Sequence, residues 1–151
     1  MTGKEIKEMS KKYSFFTWAP KQKDVDPIPM KETKGIYMFD YDGNKYVDMS
    51  SQLVCVNLGF GNEKVMKAIA EQAMHLNYIA PKHTSDVRAL VSKKIVEAAG
   101  GTMMKCLLTL GGADANDHAV RVAKYYTGRA KVMTQYNSYH GSTIGAGSLT
   151  G

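Results

Sequence analysis

No apolar run in the 151 residues approaches the ~20 needed to cross a bilayer. The first twelve residues, Met1 to Lys12, are polar and mixed in charge. They lack the apolar stretch and small-residue cleavage site of a secretory signal, so a cytoplasmic location is the default expectation. Cysteine is scarce: the two present, Cys55 and Cys106, each sit in an apolar stretch, where buried, reduced thiols are expected. No His/Cys cluster has the spacing of a zinc site, so no metal is expected. Long runs of one charge are missing as well. The net charge is +6, but no basic run exceeds the pairs Lys11-Lys12 and Lys93-Lys94. That spread fits a solvated surface rather than a nucleic-acid footprint. Repeats and low-complexity tracts are also absent. What remains is ordinary for a globular domain with a real core: 44% hydrophobic and 23% charged residues.

The chain changes character near residue 60. Before it, residues 4–12 suggest a short charged helix, residues 13–18 are unusually aromatic, and Pro20, Pro27 and Pro29 favour extended backbone. Residues 36–40 and 45–49 read as two strands. Asp42-Gly43 between them suits a tight hairpin, because both positions accept positive φ. From Asn62 onward, helix and strand alternate. Asn62 caps a helix whose Val65, Met66, Ile69, Ala70, Ala73 and Met74 share one face, expected to be buried. A second helix begins at Thr84-Ser85-Asp86, has Val87, Leu90, Val91, Ile95 and Val96 for burial, and stops at Gly100-Gly101. Residues 105–110 form a continuously apolar strand of the kind found deep in a parallel sheet. Gly111-Gly112-Ala113-Asp114 is a turn into a third helix, which has Ala115, Ala119, Val122, Ala123 and Tyr126 available for burial and ends before Gly128. Residues 131–134 are the next strand. Strand, glycine turn, helix and strand make one βαβ unit, an α/β pattern that stops one unit into a larger sheet.

Two features carry chemistry. A strand-to-helix turn with adjacent glycines leaves backbone N–H groups unpaired at the positive end of the helix dipole, where a bulky anion such as a phosphate can approach. A plain connecting turn fits the same residues, with Asp114 serving only as an early-turn acid. Neither nucleotide signature is met: no Gly-Lys-Ser/Thr follows Gly111-Gly112, and Gly141, Gly145 and Gly147 have the wrong order of spacings for a dinucleotide fingerprint. The second feature is Ser138-Tyr139-His140-Gly141-Ser142-Thr143, which follows the 131–134 strand. In a doubly wound sheet both features reach the ligand-binding edge beyond the strands' carboxyl ends. A flat aromatic there suits a phosphorylated heteroaromatic ligand, and local packing of Tyr139 is the competing reading.

Taken in order, five segments resemble class III (omega-amino-acid type) pyridoxal-phosphate-dependent aminotransferases. They are Asp40-Tyr41-Asp42-Gly43-Asn44-Lys45-Tyr46-Val47-Asp48, Asn57-Leu58-Gly59-Phe60-Gly61-Asn62, residues 109–117, Tyr126-Thr127-Gly128-Arg129, and residues 138–143. The resemblance covers residues 13–151. It implies a fold-type-I pyridoxal-phosphate-dependent transferase. Residues 1–60 would be the N-terminal segment with its β-hairpin, part of the small domain. Residues 61–151 would begin the large domain, whose sheet is mixed and mainly parallel.

The resemblance also implies roles by position. Gly111, Gly112 and Ala113 meet the phosphate of pyridoxal 5'-phosphate, with backbone donors at Gly112 and Ala113. Relatives often carry hydroxyl residues at positions 111 and 113, so here the phosphate would lean on backbone N–H groups or on groups elsewhere. Tyr139 stacks on the pyridine ring, and His140 and Gly141 complete that motif. Trp18 stands at the substrate mouth, and Leu53 and Val54 line the pocket, where a valine replaces an aromatic of some relatives. The lysine that joins the cofactor and the carboxylate that partners its ring nitrogen are implied beyond Gly151, so no catalytic residue is expected within 1–151. Lys124 and Lys131 match no family position.

The implied reaction moves an amino group between an amine or amino acid and a 2-oxo acid, in a homodimer or higher homo-oligomer, with no nucleic-acid or membrane partner. The 151 residues alone are expected to be inactive and poorly soluble, because the last strand leaves an unpaired sheet edge. The alternatives are an epimerase or aminomutase of the same fold, or a non-catalytic phosphate-binding or assembly module. A third is an unrelated α/β domain for another phosphate ligand.

Overall fold

The computed structural model describes residues 1–19 and 21–151; the extended backbone expected at Pro20 lies outside the described residues. The chain divides into two compact units, Met1–Tyr78 and Ile79–Gly151.

The first unit opens with helix α1 (Gly3–Tyr13). Thr2 and Glu5 form a reciprocal capping box: the Thr2 hydroxyl accepts from Glu5 N–H at 3.2 Å and the Glu5 carboxylate accepts from Thr2 N–H at 2.7 Å. Lys7 and Lys11 reach Asp26 at 2.7 and 3.2 Å, fastening the helix to the extended segment before the sheet. The Lys7 bond, then that from Lys11, holds the Asp26 carboxyl below its ordinary range.

Three antiparallel strands follow in the order β1 (Met30–Lys34), β2 (Tyr37–Asp40) and β3 (Lys45–Val47). The β2–β3 hairpin is the expected one, but its turn is longer than a two-residue loop. Of Asp42 and Gly43, only Gly43 takes positive φ, at 85°. Gly43 N–H bonds the Asp40 carbonyl and Asp40 N–H bonds the Asn44 carbonyl, giving a three-residue loop closed by a left-handed glycine. The Asp40 side chain explains the difference. It is buried, and it accepts from the N–H groups of Asp42 and Asn44, from Asn44 Nδ2 and from the Tyr46 hydroxyl, all at 2.8–2.9 Å. Beyond the hairpin, a bridge between Gly35 and Phe60 folds residues 55–62 back beside the sheet.

Helices α3 (Glu63–His75) and α4 (Asp86–Ala99) begin where expected, with Asn62 and Ser85 accepting from the third-residue N–H groups. Replacing Asn62 with Ala is expected to destabilise α3 by about 1 kcal/mol, read as faster amide exchange confined to that helix. Helix α5 (Gly112–Thr127) starts at the glycine turn and closes on left-handed Gly128. A single turn, α6 (Ile144–Gly147), is capped by Thr143.

Three expectations are corrected. Residues 105–110 and 131–134 carry no strand ladder among the described residues. A parallel strand exists only through bonds to a neighbour, and among the described residues neither segment makes them. The apolar faces of α3, α4 and α5 are helical with the expected spacing but hold no buried residue, because no second layer covers them. Cys55 is exposed, since the apolar residues preceding it, Leu53 and Val54, are themselves exposed; Cys106 is half-buried, its thiol 3.8 Å from the Ser92 carbonyl. No helix among the described residues is long and apolar enough to cross a membrane.

Candidate cofactor-phosphate and substrate site

In the second unit, the two segments singled out from sequence lie against each other. Gly111 is the extended N-cap residue of α5 (φ −173°, ψ 169°) and has no side chain to bond the helix's first N–H groups. Those of Gly112 and Ala113 therefore need an acceptor from outside the helix. A Cβ built on Gly111 or Gly112 would meet no atom within 4 Å, so the space beside the turn is open. Asp114 reaches back over the turn: its Oδ2 accepts from Leu110 N–H at 3.4 Å, and its Oδ1 lies 3.5 Å from His118 Nε2.

The loop at 138–143 is seated on this helix start. Gly141 is buried with φ +129°, and a Cβ there would overlap the Ala113 methyl and stand 2.7 Å from Ala113 Cα. Only glycine permits both that backbone and that approach. Asn116 Nδ2 donates to the His140 carbonyl at 2.7 Å, tying the loop to the second turn of α5. His140 N–H donates to Thr150 Oγ1 at 3.1 Å, and His140 Nε2 pairs with the Thr134 hydroxyl at 2.9 Å. The Tyr139 hydroxyl pairs with Ser142 at 3.0 Å, and the ring is exposed. Gly111, Gly112, Ala113, Tyr139, His140 and Gly141 thus share one neighbourhood. The open amide donors, the glycine approach and an exposed aromatic on the facing loop fit a phosphorylated ring such as pyridoxal phosphate. Among the described residues there is no group of three or more His, Cys, Asp or Glu placed to hold a metal.

Asn116 and Thr150 had no assigned role from sequence. Asn116 stands within the 109–117 motif, whose order was legible while the bond was not; Thr150 offered no signal. Asp117 Oδ1 is buried against Gly145 and has no hydrogen-bond partner among the described residues.

The residues expected at the substrate mouth lie in the first unit. Trp18 is exposed and takes a positive φ of 58°. Leu53 and Val54 are exposed on the turn α2 (Ser51–Val54), whose four residues have φ of 50°, 47°, 58° and 66°. A left-handed turn without glycine costs roughly 1–2 kcal/mol per residue and persists only where its surroundings hold it. Those surroundings include Asp48, whose Oδ1 accepts from Ser50 N–H, Ser50 Oγ and Gln52 N–H at 3.1–3.3 Å. Burial pushes the Asp48 carboxyl up, but the bonds from Gln52 and Ser50 outweigh it, and the net shift is downward. Nothing in the residue types announces this turn, because glycine and asparagine, the usual left-handed residues, are missing from it.

Comparison with known proteins agrees with this geometry. The profile of the aminotransferase class-III family matches residues 18–151. The diaminobutyrate–2-oxoglutarate transaminase of Halomonas elongata is 36% identical over 126 residues, 78% of this chain and 27% of that protein. The isoleucine 2-epimerase of Lentilactobacillus buchneri is 39% identical over 120 residues, 78% of this chain and 26% of that protein. The taurine:2-oxoglutarate aminotransferase of Bifidobacterium kashiwanohense, solved with PLP and glutamate, superposes with a TM-score of 0.93 at 38% identity, over 99% of this chain and 33% of that one. The chain therefore belongs to the class-III aminotransferase family and has the α/β, fold-type-I architecture of pyridoxal-phosphate-dependent transaminases. It spans between a quarter and a third of the length of these relatives.

Proposed function

We propose that these residues supply the phosphate cradle and part of the substrate mouth of an enzyme that uses pyridoxal 5'-phosphate to move an amino group between an amine or amino acid and a 2-oxo acid. The observation that carries the reading is the seating of Gly141 on Ala113, which brings the Tyr139-His140-Gly141 loop to the open helix start at Gly111-Gly112. Backbone N–H groups of Gly112 and Ala113 hold the phosphate, and the positive end of α5 favours its charge. The Tyr139 ring covers the pyridine face. Asn116 fixes the loop that carries it through the His140 carbonyl. Bound there, the cofactor supplies an electron sink for charge developing at the substrate's amine-bearing carbon. Trp18, Leu53 and Val54 set which side chains enter, with Val54 leaving room for a larger substituent than an aromatic would.

Residues 1–60 act as the N-terminal segment of the small domain, and residues 61–151 as the start of the cofactor domain of a homodimeric enzyme. No residue within 1–151 takes the nucleophile's part, so these residues alone bind the cofactor without turnover.

A second reading, an epimerase on the same scaffold, is favoured by the 39% identity to the isoleucine 2-epimerase. A full-length protein carrying these residues separates the two. Incubated in D₂O with an amino acid and a 2-oxo acid, a transaminase forms the new amino acid and 2-oxo acid in equal amounts. An epimerase gives α-deuterated amino acid of both hands with no 2-oxo acid consumed. Absence of both products would contradict the proposal.

A further inference from the structure

The turn at Ser51–Val54 holds four consecutive L residues at positive φ, and no glycine or asparagine relieves it. Local preference alone would return these residues to ordinary backbone, so something adjacent must hold the turn. Its start is held by one atom: Asp48 Oδ1 collects the N–H groups of Ser50 and Gln52 and the Ser50 hydroxyl. Asp48 is itself pinned to the sheet, because its N–H donates to the Ile36 carbonyl at 2.9 Å. The far end closes on local bonds, from Val54 N–H to the Ser50 carbonyl and from Val56 N–H to the Ser51 carbonyl, at 3.0 and 2.9 Å, with the Cys55 thiol 3.6 Å from the Leu53 carbonyl. Gln52 adds a weak contact from Nε2 to Met38 Sδ on β2. Half-buried Asp48 thus ties the start of the turn to the sheet, through its carboxylate on one side and its backbone N–H on the other.

We infer that Asp48 is a positioning residue for substrate specificity: it locks the left-handed turn that aims Leu53 and Val54. The inference rests on the proposed function for the claim that these two residues face substrate, but the lock itself does not. Neutralising the charge while keeping the acceptor, as in Asp48→Asn, leaves most of the bonds possible. Removing the acceptor, as in Asp48→Ala, frees two backbone N–H groups and a hydroxyl beside backbone that is already strained.

The test uses a full-length holoenzyme carrying this segment, in wild-type, Asp48→Asn and Asp48→Ala forms. Amide exchange is read over residues 50–56 and, as a control, over β2 and β3. Kinetics are read for one small and one bulky amino donor. With Asp48→Ala, exchange over 50–56 is expected to quicken about tenfold while the hairpin amides stay protected. The ratio of KM values for the two donors is expected to move by about the same factor, with the effect on KM larger than that on kcat. Asp48→Asn is expected to restore most of both. Unchanged exchange over 50–56, or equal loosening of the whole hairpin, would overturn the assignment of Asp48 as the lock. Selective loosening of the turn with an unmoved KM ratio would keep the lock and overturn the role of Leu53 and Val54 in the pocket.

Discussion

A Gly141→Ala protein is expected to bind pyridoxal phosphate about 100-fold more weakly than wild type. Two costs combine. At φ +129° an alanine is strained by roughly 1–3 kcal/mol, and the added methyl overlaps Ala113 in a contact with no room to give, at a further cost of roughly 1–3 kcal/mol. The loop and the helix start meet through such close contacts and the Asn116 bond, so the strain is relieved by the loop lifting away. That takes Tyr139 off the cradle while α5 stays folded. Titration followed by cofactor absorbance reads the loss, and far-ultraviolet circular dichroism checks that the helices persist. Adding Ala113→Gly removes the methyl-to-methyl overlap but neither the strained φ nor the contact with the Ala113 backbone, so the double variant should recover only part of the affinity. Unchanged affinity in Gly141→Ala would mean that the seat of the loop on α5 has no part in holding the phosphate.

Replacing Asp40 with Ala is expected to open the β2–β3 turn, because four donors lose their acceptor at once. Amide exchange at Asp42 and Asn44 should rise by at least about tenfold, with β1 less affected. The same contacts predict an acid transition. The Asn44 side-chain bond, chiefly, holds the Asp40 carboxyl below its ordinary 3.8; burial opposes this, and the bonds from Tyr46 and the backbone add to it. The folded hairpin therefore binds fewer protons than the unfolded one in that range. Its contribution to stability is complete above pH 3.8 and fades as pH falls through the lowered folded value. Hydrogen exchange of the hairpin amides against pH measures this directly. An Asp40→Asn protein should lose the acid step, and an acid step of the same size in that variant would assign it elsewhere.

The parts of the fold that were legible in the sequence are those decided locally. Asn62 and Ser85 cap helices because a short oxygen-bearing side chain finds the third-residue N–H wherever it precedes an apolar period. Gly128 ends α5 for an equally local reason. Strand β1 was missed: Met30-Lys-Glu-Thr-Lys is charged, exposed at every position and without apolar alternation, so only its pairing with β2 makes it a strand. Residues 105–110 fail in the opposite sense, since an apolar run announces a strand but supplies no neighbour. In the candidate site, the two segments at 111–114 and 138–143 were legible by their motifs. What brings them together, the Gly141–Ala113 contact and the Asn116 bond, spans 28 and 24 residues of sequence and belongs to packing. The left-handed turn at Ser51–Val54 was invisible, because it is held from outside by Asp48 against the preferences of its own residues.

Adding pyridoxal phosphate to the purified chain tests whether residues 111–141 cradle its phosphate without supplying a nucleophile. Absorbance is followed through a titration, and the product is then treated with borohydride and weighed intact. Saturable, reversible binding that inorganic phosphate competes away, with no mass added after reduction, is the predicted result. A single reduced adduct on one lysine within 1–151 would contradict it, because a nucleophile would then stand where none is assigned.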